Sequence, residues 1–289
     1  MATFCITGKT KTFTPMAGTD NAVLCGMSHD KITAKDGLQQ AAVSGKGVLA
    51  TQTNDHVMSF LQNHGVKTAY IGQGLEPNSF LVRNCTMLPI EVVVRRNVPE
   101  GSSYIKRHPK TNPGMRFEEL VVEFYLKTTD GKFGDIDIGL GDPILYRNAS
   151  EGGFVYADQT ADQSQATRHV LELDPQQAQL WISHLDDMEK RALEIFRLLE
   201  LGWAFLGGVL DDIKFEFGLI KDKLLLSDVV DCDSWRVMWN GHKLSKQPFR
   251  DDPEALAEIA SVYEIAAALT MRLMRLDLGE DAGLDPLSE

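Results

Sequence analysis

The sequence predicts an α+β protein, and three observations carry that assignment. Around residue 211 the chain reads D-D-I-K-F-E-F-G, with Ile213, Phe215 and Phe217 alternating with Asp212, Lys214 and Glu216. A period of two puts the apolar three on one face of a strand and the ionisable three on the other. Over residues 175–202, Trp181, Leu185, Met188, Ala192, Ile195 and Leu199 recur at helical spacing behind Asp174-Pro175, a good N-cap and first-turn pair. Further strand-like stretches stand at 68–71, 79–82, 87–95 and 120–126. With 289 residues the chain has room for about two domains.

Lys221-Asp222-Lys223 forms a polar turn after the alternating segment, and residues 224–230 read as a second strand, so the pair predicts a hairpin. With a three-residue loop centred on Asp222, Glu216 falls opposite Asp228. Two carboxylates facing each other repel unless a cation lies between them, and Mg²⁺ is commonly held by one or two carboxylates beside phosphate oxygens. Alternating charge also describes a solvated outer face. The compact polar run of Asp231, Asp233, Ser234 and Arg236 weighs against so plain a role.

Hydrophobic content of 43% and charged content of 24% are ordinary for a globular chain. A net charge of −12 argues against a nucleic acid or an anionic membrane as partner. An anionic ligand therefore requires a local cationic pocket. Cys5, Cys25, Cys85 and Cys232 make no C-x-x-C pair, which fits a reduced, cytoplasmic setting without a zinc site. No apolar run approaches the ~18 residues that span a bilayer, and the N-terminus lacks the pattern of a signal peptide.

Along the chain, Gly8-Lys9-Thr10-Lys11 joins two β-rich stretches. Such a loop can fold over phosphates, and it also reads as a simple basic turn, since the spacing of a Walker A motif is missing. A helix is expected from Val48 to Gly65, with Leu49, Thr53, Val57, Phe60 and Leu61 inward and Gly65 as a left-handed stop. Pro89 allows only an irregular start to the strand at 87–95. That strand runs through Glu91, Arg95 and Arg96 into Gly101-Ser102-Ser103 and Lys106-Arg107-His108, a grouping suited to a phosphate monoester or to a solvated basic loop. Gly141-Asp142-Pro143 signals a loop. Lys243, Lys246 and Arg250 precede a last helix beginning at Asp252-Pro253, and an acidic tail follows.

Assembled, these segments resemble the phosphoribosylaminoimidazole-succinocarboxamide synthase (SAICAR synthetase) family, most closely the synthetase half of the bifunctional animal purine enzyme. The matching motifs are G-K-T-K at 8–11, S-x-D-x-I-T-A-x-D-G at 28–37, P-I-E-V-V-V-R-R at 89–96, G-S at 101–102, D-P at 142–143, D-x-K-F-E-F-G at 212–218, D-S-W-R at 233–236 and K-Q-x-F-R-D at 246–251. Their order along nearly the whole chain makes the likeness specific. It implies a two-lobed fold related to ATP-grasp, antiparallel sheets with packed helices and a nucleotide cleft between the lobes. Residues 1–88 would form a β-rich ATP-binding lobe and 89–289 a substrate- and metal-binding lobe with the terminal helix.

The resemblance also implies the reaction, ATP-dependent joining of L-aspartate to the carboxylate of carboxyaminoimidazole ribonucleotide (CAIR) with Mg²⁺, through an acyl phosphate. By that likeness Gly8, Lys9, Thr10, Lys11 and Lys214 contact ATP phosphates, and Glu91 lies on the adenine and ribose side. Glu216 and Asp228 hold Mg²⁺, while Arg95, Ser102 and Arg236 hold the CAIR 5′-phosphate. Lys246 and Arg250 assist with anionic substrates, and Asp36, Asp142 and Asp212 line the reacting centre. A homo-oligomer is compatible with the family. The alternatives are a related ligase or kinase of altered specificity, or a non-catalytic nucleotide-binding relative. Three departures stand out: Pro99-Glu100 ahead of Gly101-Ser102, Lys35 where relatives have Gly, and a longer stretch over 144–174.

Overall fold

Residues 5–34, 38–148, 153–173 and 175–279 are described by the structure, a computed structural model. Contacts divide the chain into two units that interleave along the sequence. Unit one takes Met1–Thr86, Arg197–Leu210 and Gly218–Glu289, and unit two takes Met87–Phe196 and Asp211–Phe217. This division differs from a cut near residue 88, because the chain returns to unit one after Phe196 and again after Phe217.

Unit one contains an antiparallel sheet of β1 (Ile6–Thr7), β2 (Lys11–Pro15), β3 (Val23–Ser28), β6 (Tyr70–Gln73) and β7 (Ser79–Arg83), in the order β1-β2-β3-β7-β6. Gly26 in β3 leaves the space in which Phe13 and Phe80 meet edge to face, their centroids 5.9 Å apart. A separate hairpin pairs β4 (Lys31–Ala34) with β5 (Gln39–Ala42). Helix α1 (Lys46–Asn63) starts two residues before the expected position. The reason is Asp30, whose carboxylate accepts from the N–H groups of Gly45 and Gly47 at 3.0 and 2.9 Å and so caps the first turn from a distance. Gly65, at φ 83°, closes the helix as expected.

Against α1 packs α6 (Leu256–Leu273), with His56 Nδ1 3.2 Å from Thr270 Oγ1. The predicted start at Asp252-Pro253 is not a helix start. The short α5 (Gln247–Asp251) occupies the preceding residues, and the Asp252 carboxylate accepts from Glu254 N–H at 2.9 Å to make a turn. Also in unit one are the hairpin of β17 (Trp235–Trp239) and β18 (His242–Lys243) and the strand β16 (Lys223–Leu226).

Unit two is built on antiparallel strands in the order β14 (Arg168–His169), β13 (Phe154–Ala157), β12 (Ile144–Arg147), β9 (Arg116–Leu126), β8 (Thr86–Asn97) and the middle of β15 (Gly208–Ile220). A minor hairpin, β10 (Lys132–Phe133) with β11 (Ile136–Asp137), and the helices α2 (Ser103–Arg107), α3 (Pro175–Ile182) and the first part of α4 (Leu185–Phe205) complete it. Residues 175–202 form two helices where the spacing predicts one, since the chain turns at Ser183 and His184. Pro89 sits inside β8, three residues from its start. It lies opposite Lys127, whose N–H donates to the Pro89 carbonyl at 2.8 Å, and the proline can return no bond, so the ladder is one-sided at this pair. The stretch 144–174 is no idle insertion: it supplies β12, β13 and β14.

Period-two alternation divides these strands cleanly. Ile90, Val92 and Val94 of β8, Phe124 and Leu126 of β9, and Ile213, Phe215 and Phe217 of β15 are all buried. The register pairs Glu91 with Tyr125, Val93 with Glu123 and Ile90 with Leu126. Directly paired residues share a face. The odd-numbered residues of β8 and β9 therefore make a second face, which carries the ionisable side chains.

Candidate functional site

On that second face the strands bring together Glu91, Lys127, Lys214 and Glu216. Lys214 Nζ donates to Glu91 Oε1 at 2.9 Å and to Glu216 Oε1, and Lys127 Nζ donates to Glu216 Oε2. Glu216 is buried, whereas the Lys127 side chain is 47% exposed. Burial pushes the Glu216 carboxyl up, but the ammonium groups of Lys214 and Lys127 outweigh it and hold the group at about 2. The result is a fixed anion whose two oxygens each keep a free lone pair beyond the one facing a lysine. Such a hard, ionised oxygen donor fits Mg²⁺.

A second array lies on the same strands. Arg95 donates through Nε to Glu123 Oε2 at 2.7 Å and through Nη1 to Asp212 Oδ2, and Arg107 donates through Nη2 to Glu123 Oε1. Tyr125 Oη donates to Glu123 at 3.1 Å. Burial opposes ionisation of Glu123, yet the two guanidinium groups hold its carboxyl below the ordinary glutamate range. Arg107 also donates to the carbonyl of Gln159, which gives the long 144–174 stretch a second use. Ser102 is the N-cap of α2 and accepts from Tyr104 N–H at 3.2 Å. Asp142, at φ 42°, accepts from Thr128 N–H at 2.7 Å, fixing the loop that follows Lys127.

Unit one holds the remaining candidates. Gly8, Lys9 and Thr10 form the connection between β1 and β2, and Gly8 N–H donates to Lys11 carbonyl at 2.8 Å. Lys11 Nζ lies 3.8 Å from Asp231 Oδ2. Buried Lys46 donates to Asp233 Oδ2 at 3.2 Å, and Tyr263 Oη donates to Asp233 Oδ1 at 2.7 Å. Burial would raise the Asp233 carboxyl, but Lys46, Lys246 and Lys11 hold it well below the usual range. Val230 N–H donates to Asn54 at 2.9 Å, so residues 228–234 are pinned by α1 and α6. Arg236 lies in β17, Lys246 is the N-cap of α5, and Arg250 within α5 donates to Gln247 at 3.3 Å.

One expectation needs correction. The turn after β15 has two residues, Lys221 and Asp222, both left-handed at φ 47° and 63°. That is the geometry of a type I′ hairpin. It shifts the strand count by one, and β16 ends at Leu226, so Asp228 lies past the paired strand and is no ladder partner of Glu216. Asp36 and Lys35 lie outside the described residues. Sequence reasoning missed Lys127 and Glu123 as site residues. The signal was present in V-E-F-Y-L-K at 122–127, where Glu123, Tyr125 and Lys127 alternate with Phe124 and Leu126.

Paired acids and cations on one sheet face of unit two suit the handling of phosphorylated and anionic small molecules. A sequence profile of the family described as SAICAR synthetase matches residues 4–150 and 153–264. The chain is 35% identical to a phosphoribosylaminoimidazole-succinocarboxamide synthase of Chloroflexus aggregans, over 92% of this chain and 94% of that one. It is 33% identical to a bifunctional purine synthesis protein of Dictyostelium discoideum, over 88% of this chain and 23% of that one. Its fold matches a SAICAR synthetase of type 2 in complex with ADP, with a TM-score of 0.72, 25% identity and coverage of 93% and 98%. The chain belongs to the SAICAR synthetase family. It is an ATP-dependent carbon–nitrogen ligase of purine biosynthesis that joins L-aspartate to CAIR. Among the described residues no helix is long and apolar enough to cross a membrane.

Proposed function

We propose that the array of Glu91, Lys127, Lys214 and Glu216 is where this chain manages phosphoryl transfer. The observation that carries the reading is the convergence of two ammonium groups on one buried, ionised carboxylate. A CAIR carboxylate oxygen attacks the γ-phosphorus of ATP, ADP leaves, and an acyl phosphate forms. The amine of L-aspartate then attacks the acyl carbon and phosphate departs, giving SAICAR. Transfer of this kind depends on positioning and on neutralising charge. Lys214 faces the transferring phosphoryl group, with Lys9 and Lys11 and the Gly8-Thr10 backbone on the other ATP phosphates and Glu91 toward the nucleoside. Glu216 and Asp228 would hold Mg²⁺, which would draw negative charge from the phosphate oxygens.

Arg95, Ser102 and Arg236 take the CAIR 5′-phosphate, and Glu123 supports this role by fixing Arg95 in one orientation. Lys246 and Arg250 assist with substrate carboxylates. One of Asp36, Asp142 and Asp212 accepts the proton that the aspartate amine must lose. The four cysteines are free, which supports a cytoplasmic setting.

The test combines protein, ATP, Mg²⁺, CAIR and L-aspartate and follows ADP and the succinocarboxamide product, expected in equal amounts. ADP release that does not depend on CAIR overturns the reading. Glu100, an acid two residues before Ser102, favours one alternative, a ligase of altered specificity. Replacing aspartate by other amino acids separates the two: faster turnover with another amine would establish the alternative.

A further inference from the structure

Lys127 and Lys214 both neutralise Glu216, but they are not equivalent. Lys214 has a second carboxylate, Glu91 Oε1 at 2.9 Å, and its side chain is 28% exposed. Lys127 has only Glu216 within ion-pair distance among the described residues, and 47% of its side chain is exposed. Its backbone is held independently, by Pro89 carbonyl at 2.8 Å and through the Thr128–Asp142 pairing that follows. Releasing the Lys127 ammonium into water therefore breaks one side-chain contact and leaves the strand intact. Releasing Lys214 would break two.

A buried, ionised carboxylate left without a cationic partner is strongly destabilising. When a divalent cation supplies that charge, a lysine on the same carboxylate becomes a like-charge neighbour, and the half-exposed one leaves at lower cost. We propose that Lys127 is a positioning residue that holds Glu216 Oε2 in the metal-free enzyme and is exchanged for the divalent cation that arrives with the nucleotide. The inference rests on Glu216 as a metal ligand. In this arrangement Lys127 keeps Glu216 ionised and oriented while raising the Mg²⁺ concentration needed to occupy it.

The experiment measures ADP binding by calorimetry on the full chain at a series of Mg²⁺ concentrations and reads the Mg²⁺ midpoint of the change in ADP affinity. In Lys127→Gln the competing charge is gone, and the midpoint falls by about two- to fivefold, the scale of a partly exposed ion pair. Lys127→Arg retains a cation and stays within about twofold of the parent on the same scale. Glu216→Gln removes the Mg²⁺ dependence. An unchanged or raised midpoint in Lys127→Gln, together with loss of Mg²⁺ dependence in Glu216→Gln, overturns the exchange while leaving Glu216 as ligand. Mg²⁺ dependence that survives in Glu216→Gln overturns the assignment of Glu216, and the exchange falls with it.

Discussion

At Glu123 two guanidinium groups and a phenol converge on one buried carboxylate. Removing its charge leaves Arg95 and Arg107 buried without their shared partner, so Glu123→Gln is expected to lower stability by about 3–5 kcal/mol in urea unfolding at neutral pH. Because the folded carboxyl is held below its ordinary value of 4.5, its contribution is complete above that value and is lost as pH falls through the lower folded value. The variant should therefore lose less stability than the parent between neutral pH and the acid limb. Lys214 contacts two carboxylates and faces the proposed phosphoryl group. Lys214→Met should lower kcat by about 100- to 1000-fold, the size of losing one charge-stabilising group, with the CAIR-dependent ADP assay as the check. Retained turnover would place the chemistry elsewhere.

Element boundaries carry their own energetics. The hairpin turn at Lys221 and Asp222 forces two side-chain-bearing residues into left-handed backbone. An Asn-Gly pair suits the same turn better, and the double change is expected to raise stability by about 1 kcal/mol. At Gly26 a Cβ would meet Phe80 at 2.5 Å and Phe13 at 2.9 Å. Gly26→Ala should cost about 1–3 kcal/mol through overpacking, seen as a lower unfolding midpoint. The segment around the Lys221-Asp222 turn shows where sequence reading succeeds and stops. Alternation at 212–217 announces a strand with one charged face because period two is a local property. Turn length is not so visible: Lys221-Asp222-Lys223 permits two or three loop residues, and the one-residue difference moves Asp228 out of register with Glu216. The Arg95–Asp212 and Lys127–Glu216 contacts join residues far apart in sequence, which only strand order can bring together. Lys127 and Glu123 were within reach through the same alternation on β9, had it been followed past the apolar residues.

For the whole molecule the interleaving of the two units decides which pieces can fold. The middle of β15 belongs to unit two but is separated from the rest of it by residues 197–210. It contributes Ile213, Phe215 and Phe217, each at most 1% exposed, and the partners of Arg95 and Glu91. Burying three such side chains is worth roughly 5–9 kcal/mol, comparable to the entire stability of a domain, about 5–15 kcal/mol. A fragment of residues 87–196 lacks that strand and leaves β8 as an open edge. It should show no cooperative urea transition by circular dichroism, whereas a fragment of 87–217 restores the strand and should unfold cooperatively. Residues 1–88 alone lack α6, against which α1 packs, and Asp233, the partner of buried Lys46. That fragment should also fail to fold, although its sequence reads as a lobe of its own. Cooperative unfolding of 87–196 would mean that β15 is an accessory to unit two, and the ionic face would then have to be held by β8 and β9 alone.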